Sequence, residues 1–472
     1  MEKKYREINE LKEACGVFGI YGPGEEVAQF TYYVLYALQH RGEESAGIAV
    51  ADGKTVMVEK GMGLVADVFP NQDKLINLKG HIAIGHVRYS TTGASELVNA
   101  QPLLYRYRGG FLAVTHNGNL TNSKELRYKL ERDGSIFQTT SDSEIIAHLV
   151  ALSGKKDLVR SLKLAAEQLR GAYAFVLMTE KSLLGLRDPW GIRPLSIGKL
   201  NGSFILASET CAFDSLGAEF IREVRPGELV IINEDGLVSE QLIPSRGEKL
   251  CIFEFIYFAR PDSQFMGRNV HLVRKELGRV LAREHKLKAD LVTGVPDSSL
   301  STAPGVAEEL NLSYETAFVK NRYIGRTFIQ PDQIDRTAGV RLKLNPMNSL
   351  VEGKKVIMVD DSIVRGTTSL RIVDKLKKAG AVEVFVLISS PRITHPCFYG
   401  IDTASKDLIG AKMDVPEITK AIGADYLGFL SQEGMLTATG LGRDCFCTAC
   451  FDGCYPEEIH FRKQKHLFGD RY

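Results

Sequence analysis

The pattern of apolar and polar residues divides the chain into two parts. In the first part, short apolar runs bounded by Gly, Pro and Asn predict strands, as in CGVFGIYG from Cys15 and FLAVTHNGNL from Phe111. Stretches with helical spacing, among them EEVAQFTYYVLYALQHRG and SDSEIIAHLVALSG, lie between them, and a series of strands separated by turns follows. Strands paired with helices and then strands in a meander predict an antiparallel α+β layer structure for about the first 235 residues.

The pattern changes in the second part, where apolar strands alternate with helices. ADLVTGVPDSS reads as a strand, KKVIMVDDSIVRGTTSLRIVDKLKKAG as strand, loop and helix, and AVEVFVLISSP as a further strand. Alternating strands and helices predict βαβ units and a parallel sheet. CIFEFIYF, which begins at Cys251, is interpreted as one more strand. We place the domain boundary in the polar stretch IPSRGEK, which gives domains at 15–244 and 245–472.

Composition and charge narrow the class of protein. The 472 residues include 59 Lys and Arg and 58 Asp and Glu, for a net charge of +1, which excludes a strongly basic nucleic-acid-binding protein. The first residues, MEKKYREINELKEA, are charged and form no signal peptide, and no apolar run approaches the roughly 18–20 residues of a membrane span. We therefore expect a cytoplasmic protein with reduced cysteines and without nucleic-acid or membrane partners.

The stretch VIMVDDSIVRGTTS carries the clearest candidate chemistry. Asp360 and Asp361 follow a buried strand, at the carboxyl edge where open α/β sheets bind ligands. The small polar loop after them opens a helix, whose free backbone N–H groups suit a phosphate. Adjacent carboxylates beside a phosphate loop indicate a sugar diol or a divalent metal between them.

This stretch resembles the signature of the type I phosphoribosyltransferases. The resemblance implies an α/β phosphoribosyltransferase domain with a parallel sheet, in which Asp360 and Asp361 hold the ribose diol of phosphoribosyl pyrophosphate (PRPP). Mg²⁺ would lie near these carboxylates and Ser298, which belongs to a turn, GVPDSS, that resembles the family's pyrophosphate loop. The loop KNRYIGRTFIQ resembles the lid over PRPP, with Lys320 and Arg326 on the pyrophosphate. The 5′-phosphate would be bound by Arg365, Gly366, Thr367, Thr368 and Ser369.

The first part of the chain contains a second set of motifs around Cys15. A thiolate is a good nucleophile but needs a base, and no Cys–His pair of recognisable spacing is present. CGVFGI, LQHRGEESAGI, GHVRYSTTG, HNGNL and TTSDSE occur in this order and together resemble the N-terminal-nucleophile (Ntn) glutamine amidotransferases. The resemblance implies an α+β Ntn-hydrolase domain, an αββα sandwich, whose nucleophile is the first residue of the mature chain. The propeptide Met1–Ala14 would then be removed, by a protease or by self-cleavage, so that the α-amine of Cys15 serves as base.

The same resemblance implies how glutamine is bound. Arg88 would hold the α-carboxylate of the substrate and Asp142 its α-amino group, which provides one cation and one anion for a zwitterion. Thr91 is implied as a further glutamine-binding residue. Asn117 and Gly118 would form the oxyanion hole from a side-chain N–H and a backbone N–H.

Four of the eight cysteines fall close together near the carboxyl terminus. Cys447 and Cys450 form a C-x-x-C unit, which places two thiolates on one metal or cluster. The pattern resembles the bacillus-type amidotransferases with a [4Fe–4S] cluster, which implies Cys251, Cys397, Cys447 and Cys450 as ligands. The spacing alone does not distinguish this cluster from tetrahedral zinc or from free thiols, and it leaves open whether Cys445 or Cys454 takes part.

Together the resemblances imply an enzyme that transfers the amide nitrogen of glutamine to PRPP, the first step of purine synthesis. The products would be phosphoribosylamine, glutamate and pyrophosphate, with ammonia passed internally between the two sites. They also imply inhibition by purine nucleotides and a homotetramer. The alternatives are an aminosugar or asparagine synthetase with the same first half, and a non-enzymatic regulator that binds PRPP or nucleotides.

Overall fold

The computed structural model describes residues 15–71, 73–89, 95–320, 344–401 and 408–459 of the 472-residue chain. Two predicted site residues, Thr91 and Arg326, and the leader Met1–Ala14 lie outside the described residues. None of the helices in the described ranges has the length and apolar character needed to cross a bilayer.

The amino-terminal half is built from two antiparallel sheets. Its strands are, in chain order, β1 (Gly16–Tyr21), β2 (Ser45–Ala51), β3 (Val56–Met62), β4 (Ile82–Arg88), β5 (Leu103–Tyr107), β6 (Gly110–Leu120), β7 (Gly171–Met178), β8 (Leu183–Arg187), β9 (Ser196–Leu200), β10 (Ser203–Ala207), β11 (Glu219–Glu223), β12 (Glu228–Asn233) and β13 (Gly236–Gln241). The first sheet has the order β11-β9-β10-β1-β4-β2-β3 and the second the order β13-β12-β8-β7-β6-β5. The predicted meander is therefore divided, because β9 and β10 leave it to pair with each other and with β1.

Helices cover the outer faces of both sheets. They are α1 (Val27–Ala37), α2 (Val65–Val68), α3 (Asp73–Ile76), α4 (Ser123–Arg132), α5 (Glu144–Leu152), α6 (Leu158–Ala166) and α7 (Cys211–Asp214). One apolar cluster joins α1 to the first sheet, a second fills the space between the sheets, and a third joins the second sheet to α4, α5 and α6. This is the αββα sandwich that the resemblance to the Ntn glutamine amidotransferases implies, and it confirms the antiparallel α+β layers expected from the pattern.

The carboxyl-terminal half is centred on a parallel sheet. Its strands are β14 (Leu250–Cys251), β15 (Gln264–Phe265), β16 (Arg268–Asn269), β17 (Leu291–Gly294), β18 (Ser313–Tyr314), β19 (Phe318–Lys320), β20 (Leu344–Pro346), β21 (Lys355–Asp360), β22 (Glu383–Ile388), β23 (Tyr426–Phe429) and β24 (Phe446–Cys447). The order β18-β17-β21-β22-β23 is parallel throughout, which confirms the predicted sheet. Because β21 is central, its carboxyl end opens onto the crevice where ligands bind in such sheets.

Helices lie on both faces of this sheet. They are α8 (Val270–Glu284), α9 (Thr302–Leu310), α10 (Asn348–Val351), α11 (Thr367–Lys378), α12 (Ile409–Lys412), α13 (Val415–Ile422), α14 (Gln432–Thr439) and α15 (Ala449–Asp452). Helices α8, α9 and α14 share one apolar cluster, and α11 and α13 share another on the opposite face. The last strand of the first half ends at Gln241, and the exact boundary at 244–245 stays a prediction.

The prediction of one continuous strand for CIFEFIYF is wrong. Only Leu250–Cys251 is extended, where β14 pairs in parallel with β24, and Glu254–Phe258 forms a π-helical turn. Apart from Glu254, every residue of the run is apolar, so the run has no periodicity that would distinguish a strand from a buried helical turn. The turn matters for the site, because it aims Glu254 into the amino-terminal half.

Candidate functional site

The candidate nucleophile, Cys15, lies directly before β1 and beside the end of β4. Its Sγ donates to the carbonyl oxygen of Tyr89 at 3.3 Å and accepts from the Tyr89 backbone N–H at 3.4 Å. Burial raises the pKa of the thiol, while the Tyr89 hydrogen bond and the charge of Arg88 oppose that rise. The thiol therefore needs a base to become a nucleophile at neutral pH.

Asn117 and Gly118 lie on β6, on the sheet that faces the nucleophile's sheet. Asn117 is fully buried, and neither its amide nitrogen nor its amide oxygen has a hydrogen-bond partner in the described structure. Gly118 has a φ of +145°, and a Cβ there would lie 2.0 Å from the carbonyl oxygen of Ala172. A buried amide without partners is costly, so it marks a place where a ligand supplies the missing hydrogen bond.

The two charged residues predicted to bind glutamine are both buried. Arg88 ends β4 in a buried position, with Nη1 3.9 Å from Oε2 of Glu44. Asp142 is buried before α5 and accepts the Leu120 backbone N–H at 2.8 Å. Burial acts to raise the pKa of Asp142, but the His116 side chain, 3.8 Å away, brings it below its ordinary value, so the carboxylate stays charged. The site thus offers one fixed cation and one fixed anion.

A buried ion cluster of Arg41, Glu209 and Glu254 lies behind the nucleophile. Arg41 donates through Nε to the carbonyl oxygen of Cys15 at 3.1 Å, and through Nη1 to Glu209 at 2.5 Å. It also donates to both carboxylate oxygens of Glu254, at 2.8 and 2.9 Å. All three side chains are fully buried, and Glu254 comes from the π-helical turn of the carboxyl-terminal half. The backbone of the nucleophile is therefore held by an ion cluster that both halves complete.

The second candidate site lies at the carboxyl end of β21. Asp360 ends the strand, and Asp361 follows it in a buried position. Hydroxyl groups of Ser298 and Ser362 hydrogen-bond the Asp361 carboxylate, the latter at 2.6 Å. Burial raises the pKa of Asp361, and these hydroxyls and the nearby charge of Arg274 act against the rise. The structure thus brings the two predicted carboxylates together with Ser298 on the neighbouring loop after β17.

The loop after these carboxylates leads into α11 as predicted. Gly366 caps the helix with a φ of +76°, and a Cβ there would lie 3.2 Å from the Ile409 side chain and 3.4 Å from that of Ile422. The helix has no side-chain cap, and the Thr368 hydroxyl, buried, has no partner in the described structure. Free N–H groups and an unpaired hydroxyl at a helix N-terminus suit an anion.

Of the predicted lid, only Lys320 is described. It ends β19 and its ammonium group pairs with the carboxylate of Asp297 in the loop after β17. Lys320 therefore lies at the loop that holds Ser298, at the mouth of the second site. Arg326, the other residue predicted to bind pyrophosphate, lies outside the described residues, so its role stays a prediction.

The structure brings the four predicted cluster cysteines together. Cys251 and Cys447 are register partners on β14 and β24, and Cys450 lies one helical turn further on, in α15. Burial raises the pKa of Cys251 to about 12, and the charge of Cys397 contributes to that rise. Burial likewise raises the pKa of Cys450, where the other three thiols add to the effect. Cys445 is partly buried and Cys454 is exposed.

Reasoning from the sequence missed five buried charged residues that support these sites. Arg41, Glu209 and Glu254 form the ion cluster, and the charge of Arg193 acts to lower the pKa of Cys15, Cys251 and Cys447. Arg274 on α8 donates to the carbonyl oxygens of residues 255 and 259 at 2.7 and 2.9 Å, and burial lowers its pKa to about 10. The one available signal was Glu254 itself, a lone charge inside an apolar run, since such residues are rarely buried unless paired.

Comparison with known proteins assigns both halves to families. A model described as a glutamine amidotransferase domain matches residues 86–215, and one described as a phosphoribosyl transferase domain matches residues 270–399. Amidophosphoribosyltransferase from Bacillus subtilis is 54 % identical over 460 residues, covering 96 % of each chain. The protein of the same name from Methanocaldococcus jannaschii is 47 % identical over 468 residues, covering 95 % of this chain and 99 % of its own.

The solved structures give the same result. A B. subtilis glutamine PRPP amidotransferase complexed with ADP and GMP superposes with a TM-score of 0.90 at 53 % identity. The match covers 95 % of this chain and 98 % of that one.

Proposed function

The chain belongs to the amidophosphoribosyltransferases, enzymes that transfer the amide nitrogen of glutamine to PRPP in purine synthesis, and we propose the residues that carry out each step. Both halves match along nearly the whole length, so a different glutamine-dependent synthetase and a non-enzymatic regulator are excluded. The observation that carries the site assignment is the buried Asn117 amide without a partner, on the strand facing Cys15.

In the glutamine site, the deprotonated thiol of Cys15 attacks the amide carbon of glutamine. The negative charge that develops on the amide oxygen is accepted by the Asn117 side-chain N–H and the Gly118 backbone N–H, donors that cost no reorganisation because they are already fixed. Collapse of the intermediate releases ammonia and leaves a thioester, which water hydrolyses to glutamate. Arg88 and Asp142 hold the two charged ends of the amino acid, and Thr91 is proposed as a further glutamine-binding residue.

The base in this step is the α-amine of Cys15, which requires removal of Met1–Ala14. An α-amine has a pKa of about 8, whereas burial raises the pKa of the thiol, so the amine is the group able to take the proton near neutral pH. Intact-mass analysis of a sample with glutamine-dependent release of pyrophosphate from PRPP is expected to show a chain that begins at Cys15. An active sample that retains the leader would contradict the assignment of the base.

In the PRPP site, Asp360 and Asp361 accept hydrogen bonds from the ribose hydroxyls. The loop Arg365–Ser369 binds the 5′-phosphate through backbone N–H groups and the free Thr368 hydroxyl. The carboxylates and the Ser298 hydroxyl fit a hard cation, so Mg²⁺ bound there would offset charge on the departing pyrophosphate. Lys320, with Arg326, adds positive charge at the mouth of the site.

Ammonia passes from the first site to the second inside the protein. Free ammonia is largely protonated at pH 7 and then has no lone pair for attack on C1 of PRPP, so an enclosed path preserves its reactivity. The contact between the halves supports this proposal, because Glu254 of the carboxyl-terminal half is fully buried against Arg41 behind the nucleophile.

Purine nucleotides share the ribose 5-phosphate of PRPP, so we propose that inhibitory nucleotides bind at the PRPP site. The B. subtilis relative was solved with ADP and GMP. We further propose that the enzyme is a homotetramer. We also propose that it lies in the cytoplasm, where cysteines stay reduced.

Cys251, Cys397, Cys447 and Cys450 are proposed to hold a [4Fe–4S] cluster, with a structural role. Four thiols that meet in largely buried surroundings fit a cluster, whose binding requires deprotonated sulfur. Within the described ranges, no three His, Cys, Asp or Glu side chains lie close enough to hold a single metal ion, so the choice between the cluster and tetrahedral zinc rests on metal analysis.

Metal analysis after anaerobic purification tests the cluster. We expect iron and acid-labile sulfide in equal amounts, a marked loss of both in Cys397→Ser, and unchanged content in Cys454→Ser, whose side chain is exposed. Stoichiometric zinc without iron would overturn the proposal, as would full iron content in Cys397→Ser.

A further inference from the structure

The segment Cys397–Gly400, called the strap below, belongs to the carboxyl-terminal half but lies on strand β6 of the other half. The Asn119 side-chain N–H donates to the carbonyl oxygen of Phe398 at 2.8 Å. The guanidinium of Arg193 donates twice to the carbonyl oxygen of Tyr399, at 3.0 and 2.7 Å. Asn119 comes directly after Asn117 and Gly118, so these contacts fall at the proposed oxyanion hole.

Gly400 makes the closest approach to that strand. Its φ is +113°, and a Cβ there would lie 3.3–3.4 Å from the carbonyl carbon and Cα of Gly118 and 2.8 Å from Nη2 of Arg193. On its other side, Gly118 has the carbonyl oxygen of Ala172 at 2.0 Å from its own ideal Cβ position. Gly118 is therefore enclosed between β7 and the strap, with no room for a side chain on either glycine.

The strap is held in place through Tyr399. Within the strap, the Tyr399 backbone N–H donates to Sγ of Cys397 at 3.3 Å. The Tyr399 hydroxyl accepts the backbone N–H of Glu457 at 3.2 Å, and the Glu457 carboxylate accepts the backbone N–H of Gly171 at 2.8 Å. Gly171 is the register partner of Leu120 at the end of β6. The strap is thus connected to the oxyanion strand directly and through β7.

We propose that the strap is a positioning element of the glutamine site, with Gly400 and Asn119 as positioning residues that fix the Gly118 N–H for the developing oxyanion. The inference rests on the proposed roles of Asn117 and Gly118. An oxyanion donor contributes only when it meets the oxygen at hydrogen-bond distance, and loss of one such donor lowers kcat about 100- to 1000-fold. A displacement of about 1 Å at such a site costs on the order of 100-fold.

Gly400→Ala and Asn119→Ala test the strap. In Gly400→Ala, the added methyl group meets Gly118 and Arg193, and in Asn119→Ala the bond to Phe398 is lost. Each variant is expected to lower kcat for glutamine-dependent pyrophosphate release, by about 100-fold for Gly400→Ala, with KM for glutamine changed by less than about threefold. The reaction with free ammonia keeps its rate, because it bypasses the oxyanion hole. Gly442→Ala is the matched control, since Gly442 has no heavy atom within 4 Å of its ideal Cβ position.

A second readout separates positioning from general damage. Glutamic γ-semialdehyde forms a tetrahedral adduct with a thiol, so its affinity is expected to fall by the same factor as kcat, while the rate of Cys15 alkylation by iodoacetamide stays unchanged. The proposal is overturned if both variants keep normal glutamine turnover, or if glutamine- and ammonia-dependent rates fall equally in both. An Asn117→Ala variant separates failure of the oxyanion-hole assignment from failure of the strap proposal. If Asn117→Ala keeps normal glutamine turnover, the oxyanion-hole assignment is wrong. If Asn117→Ala loses turnover while both strap variants keep it, only the strap proposal is rejected.

Discussion

A Cys15→Ala variant is expected to lose glutamine-dependent formation of phosphoribosylamine by roughly four to six orders of magnitude, the scale of removing a covalent nucleophile. Its rate with free ammonia is expected to stay near that of the unaltered enzyme, because Asp360, Asp361 and the phosphate loop lie in the other half. Pyrophosphate release from PRPP, measured with glutamine and with ammonium salt at the same pH, gives both rates on one sample.

The matched control for this experiment is Cys454→Ala, which removes an exposed thiol and is expected to change neither rate. Loss of the ammonia-dependent reaction in Cys15→Ala would contradict an arrangement of two separate sites. Retention of glutamine-dependent activity would show that another group attacks the amide.

The reciprocal result is expected from Asp360→Asn and Asp361→Asn. Each change keeps the shape of the side chain but removes the charge that is proposed to accept a ribose hydroxyl, and a hydrogen bond to a charged group contributes about 1.5–3 kcal/mol. This corresponds to roughly a 10- to 150-fold loss in kcat/KM for PRPP per residue, whether glutamine or free ammonia supplies the nitrogen. Hydrolysis of glutamine to glutamate is expected to continue, since the nucleophile and its oxyanion donors are unchanged.

Asp374→Asn is a suitable control, because Asp374 lies on α11 in an exposed pair with Lys378. Exposed pairs contribute little, so we expect unchanged PRPP kinetics there. If the Asp360 and Asp361 variants show the same unchanged kinetics, the diol site is misassigned. If they also lose glutamine hydrolysis, the two sites are coupled through these carboxylates.

The fold was predictable from the sequence because its main features are local. The order of apolar runs and turns predicts an antiparallel α+β half followed by a half with a parallel sheet. The structure confirms both. The PRPP motif was also local, since strand β21, its two carboxylates, the loop and helix α11 occupy one continuous stretch from Lys355 to Lys378.

The features that the sequence did not predict depend on contacts between residues that are far apart along the chain. Arg41 and Glu254 are 213 positions apart, and nothing near either residue indicates its partner. Tyr399 and Arg193 are 206 positions apart, so the contacts of the strap cannot be predicted from the sequence around either residue. The division of the meander has the same cause, because β10 pairs on one side with β9 and on the other with β1, a strand from the start of the chain.

The pairing of β14 with β24 also has a consequence for how the protein is made. Cys251 finds its register partner only when Cys447 has been synthesised, and a ribosome adding about 5–20 residues per second takes roughly 10–40 s to cover that interval. The strap and Glu457 are also translated long after β6 and β7, so a nascent amino-terminal half emerges with Gly118 and Gly171 uncovered. Under the strap proposal, an unfinished chain holds a thiol but not the oriented donors that glutamine hydrolysis needs. On the same proposal, the order of translation would keep growing chains from hydrolysing glutamine before the PRPP site has been made.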